Sequence, residues 1–376
     1  MTKLMMVVNE DRFFLSHRKD IAVAAQRAGY DVLIVCKNTG QRQEVERLGL
    51  KMLELPINPT GTNVLQELHT FRFLYGLYRR HRPDIVHHVG LKNILWGGLA
   101  ARMARVPGVV NAVSGLGALF NGEKPSLMTR LVMQGMRTAN RRHGVSIIFQ
   151  NQEDRELFLR HGICRENQCD FIKGSGVDLS EFRYTPDPGG IPVRIIFTAR
   201  MVREKGTFTL CDAAELLRPE MEGRVEFLLC GRLSAGPRAI RKEELEARCD
   251  GHYIQWLGLR DDVSKLLRQS HIVAFPSYYR EGVPRSLIEA AATGRPIVTT
   301  QSYGCKDTVD DGVNGFLVPV RDAKALADKL RLLINDADLR QRMGKAGREK
   351  AEKEFDIRNV VRRHLEIYQR LLTAKK

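Results

Sequence analysis

Along this chain of 376 residues, short apolar runs recur, and most are followed by a longer segment whose apolar residues return at helical spacing. Residues 4–9, 31–36, 51–55, 83–88 and the run from Val109 have the composition of strands, with helices expected over 16–29, 63–81 and 94–104. Residues 179–192 are rich in proline and glycine, and beyond them the alternation restarts, with strands expected at 193–198, 225–230, 252–257, 271–275, 296–300 and 316–318. Strands separated by helices cannot pair as hairpins. They join by right-handed crossovers into parallel sheets covered on both faces. One core rarely serves so long a chain. The expectation is therefore an α/β protein of two Rossmann-like, doubly wound parallel-sheet domains, residues 1–185 and 186–355, with a closing helical segment over 356–376.

Composition removes several classes of function. Hydrophobic residues make up 43% and charged residues 28%, which is globular. The first apolar run meets Asn9, Glu10, Asp11 and Arg12 at once and is too short for a signal peptide. The most apolar later window, 85–104, contains His87, His88, Lys92, Asn93 and Arg102, so no membrane span is expected. The seven cysteines are scattered, with no CxxC and no His–Cys cluster at zinc spacing. Reduced thiols in a cytosolic chain, and no metal site, are the expectation. The formal net charge of +16 calls for an anionic partner. Its sharpest concentration spans 102–142, where Arg102, Arg105, Lys124, Arg130, Arg137, Arg141 and Arg142 face one acid, Glu123. No aromatic residues interleave with these cations and no nucleic-acid motif accompanies them, so an anionic membrane surface fits better than RNA or DNA. Residues 126–142 are expected to form a helix capped by Ser126, with Leu127, Met128, Leu131, Val132 and Met136 in one apolar stripe. Such a helix either lies in a membrane interface or packs at home with its arginines in water.

Chemistry concentrates in Glu281-Gly-Val-Pro-Arg-Ser-Leu-Ile-Glu289, which follows the apolar run 272–275 and opens a helix. The amides of Ser286 and Leu287 are expected at the helix start, where unpaired donors and the dipole favour a phosphate. Glu289 would lie about one turn deeper, beside a neutral hydroxyl. A lone pair of glutamates at this spacing also occurs on ordinary solvated helices. About eighty residues upstream, the run 194–198 ends in Arg200 with Lys205 following. That places two cations at the carboxyl end of a strand, where open α/β sheets bind ligands, and a guanidinium fork with an ammonium suits a diphosphate.

These segments carry a resemblance. Ala199-Arg200-x4-Lys205-Gly206, Phe275-Pro-Ser277, Glu281-Gly-x6-Glu289-Ala, Gly294-x-Pro296-Ile-Val298 and Gly312-x2-Asn314-Gly315 occur in the order found in the retaining GT-B glycosyltransferases of family 4. The resemblance implies two domains facing a cleft, a nucleotide sugar on the second and an acceptor on the first, with no cofactor or metal. Arg200 and Lys205 would neutralise the leaving diphosphate and Glu281 would hold the donor sugar. Glu289 would hold the ribose, and Gly282, Val283, Pro284, Arg285, Ser286, Leu287, Gly231 and Leu257 would complete the donor site. The last helix, near 356–372, would return to the first domain.

The first half resembles the branch that extends polyprenyl-diphosphate-linked saccharides, including N-acetylgalactosaminyltransferases of glycan and O-antigen assembly. A UDP-linked N-acetylhexosamine and a lipid-linked acceptor, met at the cytoplasmic face of the membrane, are what this implies. Two features depart from the wider family. The segment 9–18 has no glycine, and Ser114 stands where many relatives have a histidine. Acceptor contacts are expected from His17, Arg18, Lys92, Ser114 and Gly115. His87 and His88, adjacent on a strand, point to opposite faces and cannot share a metal; one of them is a candidate for the acceptor cleft. Sugar-nucleotide epimerases and phosphorylases share GT-B-like folds and remain the rival enzymes; an RNA-binding module is the rival of another class.

Overall fold

The computed structural model describes residues 1–58, 61, 63–116, 126–234, 236 and 239–373, so Gly117, Glu123 and Lys124 lie outside the described residues. The chain divides into two units, Met1–Ser175 with the segment from Ile357, and Gly176–Asp356. The first division falls before residue 185 because the intervening segment belongs to the second unit. The Val177 amide donates to the Phe355 carbonyl (2.8 Å), Phe182 is in that unit's core, and buried Arg340 pairs with Asp187 through its Nε (2.6 Å).

The first unit runs β1 (Thr2–Glu10), α1 (Asp11–His17), α2 (Lys19–Arg27), β2 (Tyr30–Lys37), α3 (Arg42–Arg47), β3 (Lys51–Glu54), α4 (Val64–His81), β4 (Ile85–Val89), α5 (Leu91–Met103), β5 (Gly108–Ala112), α6 (Leu127–Asn140), β6 (Val145–Phe149), α7 (Gln152–Arg160) and β7 (Cys169–Phe171). Its sheet is parallel, in the order β3-β2-β1-β4-β5-β6-β7. The second unit runs β8 (Val193–Thr198), α8 (Thr207–Met221), β9 (Val225–Cys230), α9 (Lys242–Glu246), β10 (Ile254–Gly258), α10 (Val263–Gln269), β11 (Ile272–Phe275), α11 (Arg285–Thr293), β12 (Ile297–Thr300), β13 (Gly315–Val318), α12 (Ala323–Asn335) and α13 (Ala337–Glu354). Its sheet, also parallel, has the order β10-β9-β8-β11-β12-β13. The last helix, α14 (Ile357–Thr373), packs on α2 and the sheet of the first unit. Val360, Ile367, Tyr368 and Leu371 enter that core.

Several local expectations need correction. The glycine-free segment after β1 is helical from Asp11, and the helix expected over 16–29 is split at Arg18. Buried Asp11 fixes this junction. It accepts from the amides of Arg12 (2.7 Å), Thr39 (2.7 Å) and Gln41 (2.9 Å) and from the Thr39 hydroxyl. Burial raises its pKa, but these bonds win and hold it below the usual value. Ser126 caps α6 through Thr129 N–H (3.1 Å), yet the apolar stripe divides: Met136 is buried, while Leu127, Met128 and Leu131 are 75%, 53% and 61% exposed. In α4 the helical spacing of Leu65, Leu68, Phe71, Leu74 and Leu77 reads as one core face, yet its first turn projects Leu65, and Val64 beside it, into solvent.

Candidate active site

In the second unit, strand order reverses between β8 and β11, so the segments leaving their carboxyl ends flank a crevice, the place where α/β sheets of this kind take ligands. Lys205 follows β8 and Glu281 follows β11. The structure pairs them directly, Nζ to Oε1, with both side chains mostly covered. The ammonium also lies 5.3 Å from the Phe275 ring centroid and 5.7 Å from that of Tyr279. Ser277 Oγ lies 3.2 Å from Glu281 Oε1 and also 3.2 Å from the Glu204 carbonyl, tying the two segments together. Their approach requires Gly206. Its φ is +83°, and a Cβ there would sit 2.1 Å from the Pro276 carbonyl oxygen.

Helix α11 starts beside this pair. Leu287 is wholly buried and its amide bonds back to Pro284 O (3.1 Å), which corrects the expectation that it offers a free donor. The donors at the helix start are the amides of Arg285 and Ser286, for which no described residue supplies a backbone acceptor. Gly282, Val283 and Pro284, in the loop itself, are buried. Glu289 accepts from Arg285 Nε (2.6 Å), one turn earlier on the same helix. Burial raises its pKa, and the nearby guanidinium opposes the shift only in part. Arg200 is exposed beyond β8, and no described residue partners its guanidinium. Gly231 follows β9, where a Cβ would meet the Ala199 carbonyl oxygen at 1.7 Å, and Trp256 Nε1 donates to the Gly231 carbonyl (2.9 Å). Leu257 is half-buried in β10 against the core.

In the first unit the reversal lies between β1 and β4. Arg18, which follows β1, is 2% exposed and pairs with no carboxylate among the described residues. Nη1 donates to the His17 carbonyl (2.9 Å), Nη2 reaches Ser114 Oγ (3.3 Å) and Nε has no acceptor. Burial lowers its pKa to about 10. His17 is half-buried, stacked on Phe13 with its Nδ1 2.6 Å from Ser16 Oγ. Gly115, with φ +95°, follows Ser114 at the same edge. Lys92 does not stand free for a ligand. Its ammonium bonds the carbonyls of Asn58 and Gly61 and pairs with Glu67. Neither histidine of β4 reaches a surface. His87 bonds Tyr368 (2.6 Å) under α14, and His88 bonds Tyr78 (2.9 Å) and Asn111 (2.8 Å) on the other face. Opposite faces were expected of them, and each ring is fully buried with a tyrosine hydroxyl as partner.

Comparison with known proteins decides the family. The profile of the family "Glycosyl transferases group 1" matches residues 189–350, and that of "Glycosyl transferase 4-like" matches residues 3–151. The chain is a GT-B glycosyltransferase of family 4. Among its relatives is the N,N'-diacetylbacillosaminyl-diphospho-undecaprenol alpha-1,3-N-acetylgalactosaminyltransferase of Campylobacter jejuni, 26% identical over 96% of this chain and 98% of that one. The UDP-Gal:alpha-D-GlcNAc-diphosphoundecaprenol alpha-1,3-galactosyltransferase of Escherichia coli is 23% identical over 92% and 90%. In fold it is similar to Anabaena HepE crystallised with UDP, with a TM-score of 0.78, 19% identity, and 98% of this chain and 100% of that one covered.

In this glycosyltransferase the five sequence motifs divide by position. Lys205 and the Glu281–Glu289 segment meet at the sheet edge. The later ones build the scaffold: Gly294 ends α11 at φ +82°, and buried Asn314 bonds the Thr308 carbonyl (3.0 Å) while Gly315 lies against Ile297. One supporting residue escaped the sequence reading. Gly304, at φ +76°, lies so close to the Glu281–Gly282 backbone that a Cβ would overlap the Gly282 oxygen. Its only signal in the sequence is a glycine soon after the end of a strand.

Proposed function

We propose that the protein transfers an N-acetylhexosamine from its UDP-sugar to a polyprenyl-diphosphate-linked saccharide, with retention of configuration, at the cytoplasmic face of a membrane. The pairing of Lys205 with Glu281 at the strand-order reversal, beside the open end of α11, carries this reading. A cation that suits a diphosphate stands next to a carboxylate that suits sugar hydroxyls, and the Arg285 and Ser286 amides would be available to a phosphate oxygen. Arg200 and Lys205 would stabilise the charge that develops on the leaving diphosphate, a task that needs no metal. Glu289, held by Arg285, would take the ribose. The bond from the anomeric carbon to the diphosphate oxygen breaks, and the acceptor hydroxyl bonds to the same face. Its proton passes to the departing phosphate oxygen, which leaves as UDP.

On the acceptor side, Arg18 is a buried cation lacking a counter-charge among the described residues, at the edge that also holds Ser114 and Gly115. An anionic acceptor such as a lipid diphosphate suits it. The two relatives named above support this acceptor class, since both names carry a diphospho-undecaprenol. Exposed Val64 and Leu65 on α4, and Leu127 and Leu131 on α6, lie at helix starts and hence towards the same sheet edge, which suits a substrate held in a bilayer. Incubation with a panel of nucleotide sugars tests the donor assignment. Slow release of UDP from UDP-N-acetylhexosamines is expected, and release from none of the panel would contradict it.

A further inference from the structure

Four arginines gather around one open groove in the first unit. Arg102 ends α5, Arg137 and Arg141 lie at the end of α6, Arg160 closes α7, and the groove between them has a volume of about 570 Å³. No acidic side chain lines it. Arg137 is committed at home, with Nε donating to the His161 carbonyl (2.6 Å) and Nη1 to Gln134 (3.2 Å). Arg102, Arg141 and Arg160 are exposed, and no described residue partners their guanidinium groups. Helix C-termini do favour cations, but each end supplies only roughly half an elementary charge, so three ends offset roughly one and a half of the four positive charges. The remainder matches a phosphate.

The surface around the groove says which kind of phosphate. Leu127, Leu131, Gln134, Thr138 and Arg141 follow one another at spacings of four and three, so they form one outward stripe along α6, a helix of about 21 Å by its 14 residues, and its C-cap Arg141. All five are exposed; the stripe begins with two leucines and ends in the groove. Met103, next to Arg102, is 58% exposed. No acid occurs on α5 or α6, and no Phe, Tyr or Trp lines the groove to stack on a base; its one ring is that of His161. Apolar side chains that can enter acyl chains, continuous with cations that can hold headgroups, describe an interfacial helix.

We propose that this stripe docks on an anionic bilayer with a lipid headgroup phosphate seated among Arg102, Arg141 and Arg160. The surface rests on the reading that the acceptor is membrane-held, and it relocates the expected cluster: Arg137 is engaged, and Arg142 donates to the Val106 carbonyl (2.7 Å).

Co-sedimentation with phosphatidylcholine vesicles, with and without about a third phosphatidylglycerol, tests it. Wild type binds only the anionic vesicles, less at high salt. The triple variant R102Q/R141Q/R160Q loses about 100-fold in partition coefficient, near a fivefold factor per cation. Leu127→Asn with Leu131→Asn lowers partition without removing the groove. Triple-variant binding equal to wild type overturns the proposal. So does a wild type that ignores the vesicles yet is stabilised by inorganic phosphate, which makes the groove a site for a free anion. Turnover of a short, soluble acceptor should be unchanged in the triple variant. If wild type binds anionic vesicles but never transfers sugar, the reaction reading falls and the docking surface stands.

Discussion

Because Lys205 and Glu281 satisfy each other, a diphosphate that engages Lys205 must compete with the carboxylate and is repelled by it. Two unit charges about 4 Å apart interact by about 4 kcal/mol at the effective dielectric of a partly covered site. That figure bounds what Glu281 can withhold from a phosphate. Glu281→Gln removes the charge while keeping an oxygen for Ser277, now 3.2 Å away. If a third of the bound is recovered, UDP binds about tenfold more tightly, about 1.4 kcal/mol. Turnover of the nucleotide sugar should nevertheless fall about 10²-fold or more, because the sugar hydroxyls lose their acceptor. Lys205→Met should weaken UDP binding at least tenfold, and adding Glu281→Gln to it should bring little gain, since there is no ammonium left to release. Calorimetry with UDP, beside initial rates, reads all three variants. A folded Glu281→Gln protein whose UDP affinity equals or falls below wild type would refute the competition and detach Lys205 from the diphosphate.

Glu289→Ala should shift UDP affinity the other way, weakening it about tenfold in the same calorimetry; unchanged affinity would remove Glu289 from the ribose. Gly206→Ala, with its Cβ 2.1 Å from Pro276 O, should lower both Tm and turnover. Gly29→Ala, also at positive φ but with nothing within 4 Å, should lower Tm only slightly, and equal effects on both would contradict the close approach at Gly206. Acidity should destabilise the protein through its buried histidines. Burial holds His87 well below its usual pKa, His88 at about 4 and His364 at about 3. The unfolded chain therefore binds more protons, and stability is lost as pH falls below about 6.5. From pH 7.5 to 5.5 the three histidines together cost about 4 kcal/mol. Urea midpoints that stay level across this range would show that the three are not held neutral.

The sheets were legible because each strand is an apolar run followed by a helix, a pattern that leaves few topologies open. β6 (Val145–Phe149) and β7 (Cys169–Phe171) were not among the expected strands, and the three residues of β7 carry no period. The joining of Lys205 to Glu281 across 76 positions rested on recognising ordered motifs; nothing local to either residue announces the other. Exposure was the weakest inference. Periodicity says that Leu65 and Leu127 share a face with core residues, but whether the core extends to that turn depends on what packs there. The same limit misjudged Lys92, whose partners include Asn58 and Gly61, more than thirty residues earlier.

Sugar transfer from a UDP-N-acetylhexosamine to a polyprenyl-diphosphate saccharide is measured most directly by following the sugar. The enzyme is supplied with isotopically labelled UDP-N-acetylhexosamine and an undecaprenyl-diphosphate-linked acceptor, and the organic-phase product is read by mass spectrometry and NMR. One added residue on the lipid-linked saccharide is expected, with the anomeric configuration of the donor kept and one UDP released per transfer. Label remaining in a nucleotide sugar of altered configuration, or a product with inverted linkage, would contradict it.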